Sequence, residues 1–484
     1  MKKIFHISLF FIIPLLSFSQ TQWEKAIDNY TDQSLPLVNV SVDVEKLSKE
    51  NYIKGEITIY DKEKRTEDNE LANFFCKVRY RGSSSLKYDK KSLAIKLIDV
   101  EGEDLDANVF GIRKENDWIL DAMAIDRIRM RNRVLFDIWN DISKTPYETD
   151  FNGRNGTLGQ FVELYLNGEY HGLYCMTDKI DRKLLGLKKA KEQTDGSIYV
   201  RGVMYKGDAW TDATRLSSYD SKEPFDTELW NGWELQHPDD YPCLESWKPI
   251  VNLIDFSNTD IISFKTNYRK YCYHDNVVDY ALFILAYNII DNCMKNTFLS
   301  CPDINVNNVF LITPWDLDCS IGGLYDGSHF EYYMDINTLI NNKLYYNLYE
   351  NNIDDFHGTM KKRWQELSSN TMSPESFNRR LDNYALSFKS SGAWQRECEK
   401  WNNNPVPLNI DDELDYVKNW YANNVNELNK LLGVSSGINK LNQNVSNIEA
   451  KTYTIDGIMR SANNNSVINI SCKKKYINRK GNCK

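Results

Sequence analysis

The N-terminal part of the chain alternates between hydrophobic and polar residues in short runs. A period of two places successive side chains on opposite faces of a strand, so each run predicts a β-strand with one buried face. The runs cover residues 38–44, 55–60, 74–80 and 92–98. Between the last two runs, the Gly/Ser-rich residues 82–85 predict a turn. The front of the chain is therefore expected to be rich in β-structure.

A β-hairpin is predicted further along the chain. Residues 161–166 and 170–176 are hydrophobic runs of strand length, and Asn167-Gly168 separates them. The Asn-Gly dipeptide fits the two left-handed positions of a type I′ turn, which joins adjacent antiparallel strands. The two runs are therefore expected to pair with each other.

The helical period dominates the second half of the chain. Hydrophobic residues recur every three to four positions there, which predicts amphipathic helices. Helices are expected at residues 126–142, 279–290, 356–367, 373–388 and 411–432, with a further helix starting within 178–187. Gly433 is a natural stop for the last of them, and residues 309–313 predict a strand. The pattern as a whole predicts an α+β fold, β-rich at the front and mainly helical at the back.

Composition divides the chain into segments. Lys2 and Lys3 precede an apolar run that is shorter than the ~20 residues of a membrane span, which predicts a signal peptide over residues 1–20. The main domain is expected at 21–440, with a polar, aromatic and turn-rich insertion of loops and short helices at 201–275. Residues 441–484, rich in Asn, Ser and Lys, form a tail. The mature chain is expected to be secreted and to have no transmembrane segment.

Charge and cysteine content narrow the function classes. The net charge is −9, and a nucleic-acid partner is not expected because phosphate neutralisation needs a basic surface. Among the ten cysteines, Cys293/Cys301 and Cys472/Cys483 are candidate disulfide pairs, with buried free thiols as an equal alternative. No close Cys-x-x-Cys pair occurs and there are only six His, so no zinc site is expected.

The candidate chemistry lies between Asp291 and Asp318. Asp291 and Asn296 have the Asp-x-x-x-x-Asn spacing of protein-kinase catalytic loops, in which the acid takes the acceptor proton and the amide binds metal. A predicted strand then leads to Pro-Trp-Asp316-Leu-Asp318. Asn296, Asp316 and Asp318 would form the all-oxygen ligand set that Mg²⁺ prefers. The alternative interpretation is a helix end followed by an ordinary turn.

Four segments together resemble the spore-coat CotH kinase family, an atypical branch of protein-kinase-like enzymes. The likeness covers about residues 75–325. The segments are Arg81-Gly82-Ser83-Ser84-Ser85 with residues 90–97, Asp117-Trp118-Ile119-Leu120 with Arg131-Asn132-Arg133, the hairpin at 161–174, and Asp291 to Asn296 with Pro314 to Asp318. The resemblance implies an atypical kinase-like fold for the domain at 21–440.

The resemblance also implies transfer of a phosphoryl group from ATP, with Mg²⁺ or Mn²⁺, to a protein Ser/Thr or another hydroxyl. A secreted or surface protein is a candidate acceptor. Asp291 and Lys91 are the implied catalytic residues, and Asn296, Asp316 and Asp318 the implied metal ligands. Nucleotide binding is implied for Arg81, Gly82, Ser83, Ser84, Lys91 and Lys96. Lys91 is the better match to the family's strand lysine, with Lys90 close behind.

Several polar residues of the matched segments have open roles. Glu163 is expected either to face solvent or to pair with a basic residue such as Arg131 or Lys91. Arg131 and Asn132 could be structural. Asp178 stands where the family usually has a Glu, and the shorter side chain leaves its reach toward a lysine or metal open.

Two other function classes are weighed against the kinase. A non-catalytic cell-surface adhesin or scaffold could keep a kinase-like fold and bind its partner through the aromatic-rich residues 201–275. A glycan-processing enzyme is a third class, but paired carboxylates are too common in an acidic chain to support it. In the tail, residues 452–457 resemble the start of bacterial C-terminal secretion-sorting domains, and with residues 467–470 they could form a small strand-turn-strand unit. A disordered polar tail is the alternative.

Overall fold

The computed structural model describes residues 20–333, 335–434, 469–471 and 474–476. The chain divides into two compact units, Met1–Leu428 and Asn429–Lys484. In the second unit, β17 (Asn469–Ser471) pairs with β18 (Lys474–Tyr476) in an antiparallel manner. The predicted signal segment, apart from Gln20, and the sorting-like residues 452–457 lie outside the described residues. None of the described helices has the length and apolar character needed to cross a membrane.

The N-terminal part of the first unit is a closed seven-stranded barrel. Its order is β1-β2-β3-β4-β7-β9-β8, and the sheet closes where β8 pairs with β1 in parallel. The strands are β1 (Leu37–Ser41), β2 (Ile53–Tyr60), β3 (Leu71–Arg81), β4 (Ser92–Ile98), β7 (Asp117–Asp121), β8 (Gly159–Leu166) and β9 (Glu169–Thr177). Helix α1 (Gln22–Asp28) precedes them, and the short hairpin β5 (Ala107–Val109)–β6 (Arg113–Glu115) lies between β4 and β7.

Alternate residues of the barrel strands point inward and fill its interior. The buried set includes Val38, Ile57, Val78, Ile95, Trp118, Val162 and Tyr174. The expected strands are confirmed, and so is the hairpin: Asn167 and Gly168 have φ values of 50° and 83°, both in the left-handed region of a type I′ turn. Because the interior is packed, any functional group must lie on the outer face or at the rim.

A second, five-stranded sheet follows in the order β13-β14-β12-β15-β16. The strands are β12 (Val203–Gly207), β13 (Leu229–Trp230), β14 (Trp233–His237), β15 (Thr297–Cys301) and β16 (Leu311–Pro314), and a separate pair is formed by β10 (Lys191–Glu192) and β11 (Ile198–Tyr199). The prediction that 201–275 forms loops and short helices is confirmed for the helices between Leu244 and Lys270, but it missed strands β12, β13 and β14. These strands are short and broken by polar turns, so their pairing with β15 has no local signal.

Four large aromatic residues of this segment belong to the core. Tyr205, Trp230, Trp233 and Trp247 are each at most 1% exposed. The Tyr205 and Trp247 rings stack, with centroids 5.5 Å apart. The binding surface expected for an adhesin is therefore not formed by these four side chains.

Helices complete the unit. They are α2 (Arg131–Ile142), α3 (Leu244–Ser257), α4 (Ile261–Asn267), α5 (His274–Tyr287), α6 (Ile336–Ile340), α7 (Lys343–Glu350), α8 (Phe356–Ser368), α9 (Pro374–Ser390), α10 (Ala393–Trp401) and α11 (Ile410–Leu431). The late helices are confirmed, and Gly433 has the expected positive φ of 60°. The molecule is a mixed α+β protein, β-rich at the front and mainly helical toward the back.

Two helix predictions need correction. α2 begins at Arg131 and not at 126, because the Asp126 carboxylate accepts hydrogen bonds from the N–H groups of Met130 and Arg131 and closes a turn before the helix. Residues 178–187 contain turns and no helix. Asp178, at their start, is buried and lies 3.0 Å from Arg113 Nε and 2.8 Å from Arg154 Nη2. This acid therefore has a structural ion-pairing role.

The structure also decides two alternatives that the sequence left open, the partner of Glu163 and the state of Cys293 and Cys301. Glu163 is 2% exposed and makes two 2.7 Å hydrogen bonds with Arg396 of α10, not with Arg131 or Lys91. All eight cysteines among the described residues are free thiols, so Cys293 and Cys301 are not bonded to each other. The pair Cys472/Cys483 lies outside the described residues. Arg131 bonds to Asp126 and Glu413, and its role is structural.

Candidate functional site

The site forms where the second sheet meets the outer face of the barrel. Asn296 directly precedes β15, and its N–H donates to the Gly207 carbonyl at 2.8 Å. Its own carbonyl accepts the Trp315 N–H at 2.9 Å, just after β16. Asn296 and Asp316 both have left-handed backbone, with φ of 53° and 56°. Such backbone is unusual outside glycine and concentrates at functional sites.

Asp291 reaches this position through a short turn after α5. The helix ends at Asn288, whose φ of 52° redirects the chain into the 3₁₀ turn Ile290–Cys293. The neighbouring Asn292 is buried, and its Nδ2 donates to the carbonyls of Asn296 (2.7 Å) and Trp315 (2.8 Å). Asn292 thereby fixes the Asp291 turn to both candidate metal-binding segments. Asn292 was not predicted as a site residue, because only its position inside the motif points to such a role.

The carboxylates of the site repel one another. Asp316 is exposed at the surface, but neighbouring protein groups still reduce its hydration. This desolvation, followed by the negative charge of Asp121, raises the pKa of Asp316. The negative charge of Asp291 also raises the pKa of Asp316. The pKa of Asp318 is raised well above its usual range, first by burial and then by the negative charges of Asp316 and Asp121. These charge effects place Asp291 and Asp318 near Asp316 and add a fourth acid.

Asp121 is this fourth acid, and it was not among the site residues predicted from the sequence. It ends β7 on the outer face of the barrel, where its Oδ1 accepts the Ser92 hydroxyl at 3.3 Å. Its Oδ2 accepts from Asn132 Nδ2 at 3.0 Å, and Asn132 Oδ1 accepts the Leu317 N–H at 3.1 Å. Asn132 therefore connects the barrel to the turn that carries Asp316 and Asp318, which gives it a structural role within the site.

Arg81 faces the same cluster from the end of β3. It pairs with Ser92 across the β3–β4 ladder, and its guanidinium lies 5.6 Å from the centroid of the Trp315 ring. Desolvation lowers its pKa, while Asp121 and Asp316 oppose that effect. Within the described part of the chain, no carboxylate lies within ion-pair distance of Arg81. Its role in binding nucleotide stays a prediction.

The Gly/Ser turn continues from Arg81. Gly82 has φ of 116°, and a Cβ there would lie 2.2 Å from Ser85 Oγ, so only glycine fits. Ser83 and Ser84 are exposed at the start of a 3₁₀ turn, Ser84–Lys87. Their role in covering phosphates stays a prediction.

The barrel lysines make other contacts. Lys90 Nζ is fully buried and bonds to Glu397 Oε1 at 2.6 Å. Lys91 Nζ bonds to the Tyr88 carbonyl at 2.5 Å, and Lys96 Nζ lies 3.7 Å from Asp117. In the described residues neither Lys91 nor Lys96 forms an ion pair with an aspartate of the site. Their nucleotide-binding roles stay predictions.

The donor set suits a hard cation that also binds phosphate. Among the described residues, no group of three or more His, Cys, Asp or Glu side chains is arranged to hold a metal alone. Mg²⁺ is commonly held by one or two carboxylates plus waters and substrate phosphates. Asp316, Asp318 and the amide oxygen of Asn296 provide such oxygen donors. A bound cation would also relieve the repulsion that raises the two carboxyl pKa values.

Replacing Asp318 by Asn should stabilise the metal-free protein at neutral pH. The folded-state pKa of Asp318 lies above its unfolded value, so the folded state binds more protons and stability falls as pH rises through that window. An uncharged amide removes this cost, and we expect a gain of about 1 kcal/mol. Urea unfolding in EDTA between pH 5 and pH 8 measures it, and the gain should grow with pH.

Asp326→Asn is the matched control for this experiment. Asp326 is exposed, and its hydrogen bonds with Ser328 lower its pKa, so its contribution to stability is lost as pH falls. The Asn variant should show no gain at neutral pH. A loss of stability in the Asp318→Asn variant would contradict the proposed repulsion.

The molecule is a mixed α+β protein whose acidic cluster lies where the second sheet meets the barrel. The family model described as CotH kinase protein matches residues 78–428. This match covers most of the chain and includes every residue of the site. The chain therefore belongs to the CotH kinase family. A search of curated proteins found no match.

Proposed function

We propose that this chain is a phosphotransferase that moves the γ-phosphoryl group of ATP to a protein Ser/Thr or another hydroxyl. The observation that carries the proposal is that Asp291, Asn296, Asp316 and Asp318 lie close together, beside the cation of Arg81. Family membership supports a kinase-like activity. The signal-like residues 1–20 support secretion of the mature chain.

Each side chain has a role in the proposed reaction. Asp291 orients the acceptor hydroxyl and takes its proton while the hydroxyl oxygen bonds to the γ-phosphorus. The bond from that phosphorus to the β–γ bridging oxygen breaks, and ADP leaves with the electron pair. Asn296, Asp316 and Asp318 would hold Mg²⁺ or Mn²⁺, which neutralises charge on the phosphate oxygens when bound.

A thermal-shift measurement on residues 21–484 tests nucleotide binding. ATP with Mg²⁺ or Mn²⁺ at ~100 times its Kd should raise the free energy of unfolding by about 2.7 kcal/mol. The Asp316→Ala/Asp318→Ala variant should lose this shift, because it lacks both metal-binding carboxylates.

The double variant Asp239→Ala/Asp240→Ala is a matched control. These two aspartates are exposed and adjacent, so the change removes the same charge away from the site. The control should keep the full shift. A folded wild-type protein that responds to no nucleotide would reject the phosphotransferase and favour the adhesin or scaffold class.

A further inference from the structure

A cavity of about 440 Å³ opens between α3, α4 and the segment that precedes β16. Its volume falls within the ~300–1,000 Å³ of small-molecule sites in proteins. The lining residues include Asn252, Phe256, Asn267, Lys270, Tyr271 and Asn308. None of the residues that line it belongs to the acidic cluster, so the cavity is a separate feature of the molecule.

Two amide side chains of the lining have no partner among the described residues. Asn308 Oδ1 is buried and accepts no hydrogen bond there. The Asn252 side chain likewise makes no hydrogen bond with the described part of the chain. A buried polar atom without a partner is rare in folded proteins and indicates a water, an ion or a ligand. An amide both donates and accepts, as a sugar hydroxyl does, so the two groups suit a ligand rich in hydroxyls.

Two aromatic rings form the apolar part of the lining. Phe256 and Tyr271 stack with their centroids 4.0 Å apart and an angle of 7° between the rings. Phe256 is buried, whereas Tyr271 is half-buried. The Tyr271 carbonyl accepts the Phe310 N–H at 2.7 Å, which fixes it to the segment that carries Asn308. A rigid ring beside partnerless amides offers an apolar face and polar groups to the same ligand.

Lys270 gives the cavity its charge. No Asp or Glu is among the residues that line it. Lys270 Nζ lies 2.8 Å from Asn267 Oδ1, and no carboxylate in the described part of the chain lies within ion-pair distance of this ammonium. A neutral amide leaves the charge of the ammonium uncompensated and two of its N–H groups free for a ligand. A ligand with an acidic group is therefore favoured over a neutral one.

We propose that this cavity binds an acidic saccharide. Asn252 and Asn308 exchange hydrogen bonds with its hydroxyls, and Tyr271 packs against its apolar face. Lys270 pairs with its carboxylate. A nucleotide triphosphate fits less well, because it brings several negative charges to a lining with one cation. Binding here does not depend on phosphoryl transfer, since the two sites share no residue.

Calorimetric titration of residues 21–484 with short oligosaccharides tests the site. The probes are oligomers of glucuronate, galacturonate and mannuronate, each beside its neutral counterpart of glucose, galactose or mannose. At least one acidic oligomer should bind about tenfold more tightly than its neutral counterpart, the gain expected from one charge-assisted contact. Lys270→Met should abolish this preference, and Lys270→Arg should keep part of it. Asn308→Leu should weaken the acidic and the neutral oligomer alike, by about tenfold.

Lys265→Met is the matched control, because Lys265 is an exposed lysine of α4 that does not line the cavity. It should keep the wild-type affinities, and so should Asp316→Ala/Asp318→Ala. A wild type that binds no acidic oligomer, or binds the neutral ones equally well, overturns the saccharide site and leaves the phosphotransferase intact. Unchanged affinities in both Lys270→Met and Asn308→Leu, or binding lost in Asp316→Ala/Asp318→Ala, also overturn it. Unfolding without ligand shows whether each variant folds, and if Asn308→Leu does not, Asn252→Leu takes its place.

Discussion

Replacing Asp291 by Asn should lower the rate of phosphoryl transfer by roughly 10²- to 10⁴-fold, the usual contribution of a general base. The amide has nearly the same shape but cannot accept the acceptor's proton. Asp291 lies in a turn fixed by Asn292, which bonds to the carbonyls of Asn296 and Trp315. The substitution should therefore leave the metal-binding segments in place, and the affinity for ATP should stay the same.

The measurement is transfer of labelled γ-phosphate to the protein itself and to a panel of Ser/Thr-containing proteins, together with ATP binding. Asp275→Asn is the control, since Asp275 is exposed in the first turn of the helix that leads to Asp291. It should keep the wild-type rate. An Asp291→Asn variant with the wild-type rate would show that another group takes the proton.

Replacing Glu397 by Gln should destabilise the protein by about 3–5 kcal/mol, a large part of the ~5–15 kcal/mol of a typical protein. The Glu397 side chain is fully buried and bonds to Lys90 Nζ (2.6 Å), Arg129 Nε (2.8 Å) and the Leu173 N–H (2.8 Å). These contacts join α10 to the barrel. The variant leaves two buried cations without a carboxylate, which is the costly way to break such a network.

The loss should depend on pH. Burial lowers the pKa of Lys90 to about 7, and Glu397 opposes this effect by stabilising the charged form. Without Glu397 that pKa falls further. The part of the loss that belongs to Lys90 is therefore absent well above pH 7, grows as pH falls below 7, and is complete only below the lower pKa of the variant.

Two comparisons make this result specific. Lys90→Met should cost less than Glu397→Gln, because Glu397 keeps its bonds to Arg129 and Leu173. Glu399→Gln changes an exposed residue of the same helix and should cost little. Urea unfolding at pH 6 and pH 9 gives all the values. Equal small losses in the three variants would show that the buried network does not stabilise the fold.

Elements with strong local signals were predictable. The hairpin at β8 and β9 follows from Asn167-Gly168, since few other residues accept two successive positive φ angles. The late helices follow from their period of hydrophobic residues. The helix expected within 178–187 fails because Asp178 makes buried ion pairs with Arg113 and Arg154, and tertiary contacts override a weak local preference.

The motif residues of the site could be predicted from the sequence, but the residues that surround them in the folded protein could not. Asp291, Asn296, Asp316 and Asp318 lie within one stretch of sequence, where spacing alone relates them. Asp121 and Asn132 join them only after folding. Asn132, for example, bonds to Leu317, which lies 185 residues later. Such a contact has no counterpart in local spacing or periodicity.

The sequence by itself determined the β-rich front, the hairpin, the late helices and the acidic motif, because short-range propensity and spacing decide each of these. Tertiary structure decided the closure of the barrel through the parallel pairing of β8 with β1, the incorporation of β12 into the second sheet, and the placement of Asp121 and Arg81 beside the motif carboxylates. Strand pairing depends on hydrogen bonds between distant segments, and the charge around a carboxylate depends on which segments fold against it. Both are properties of the folded chain as a whole.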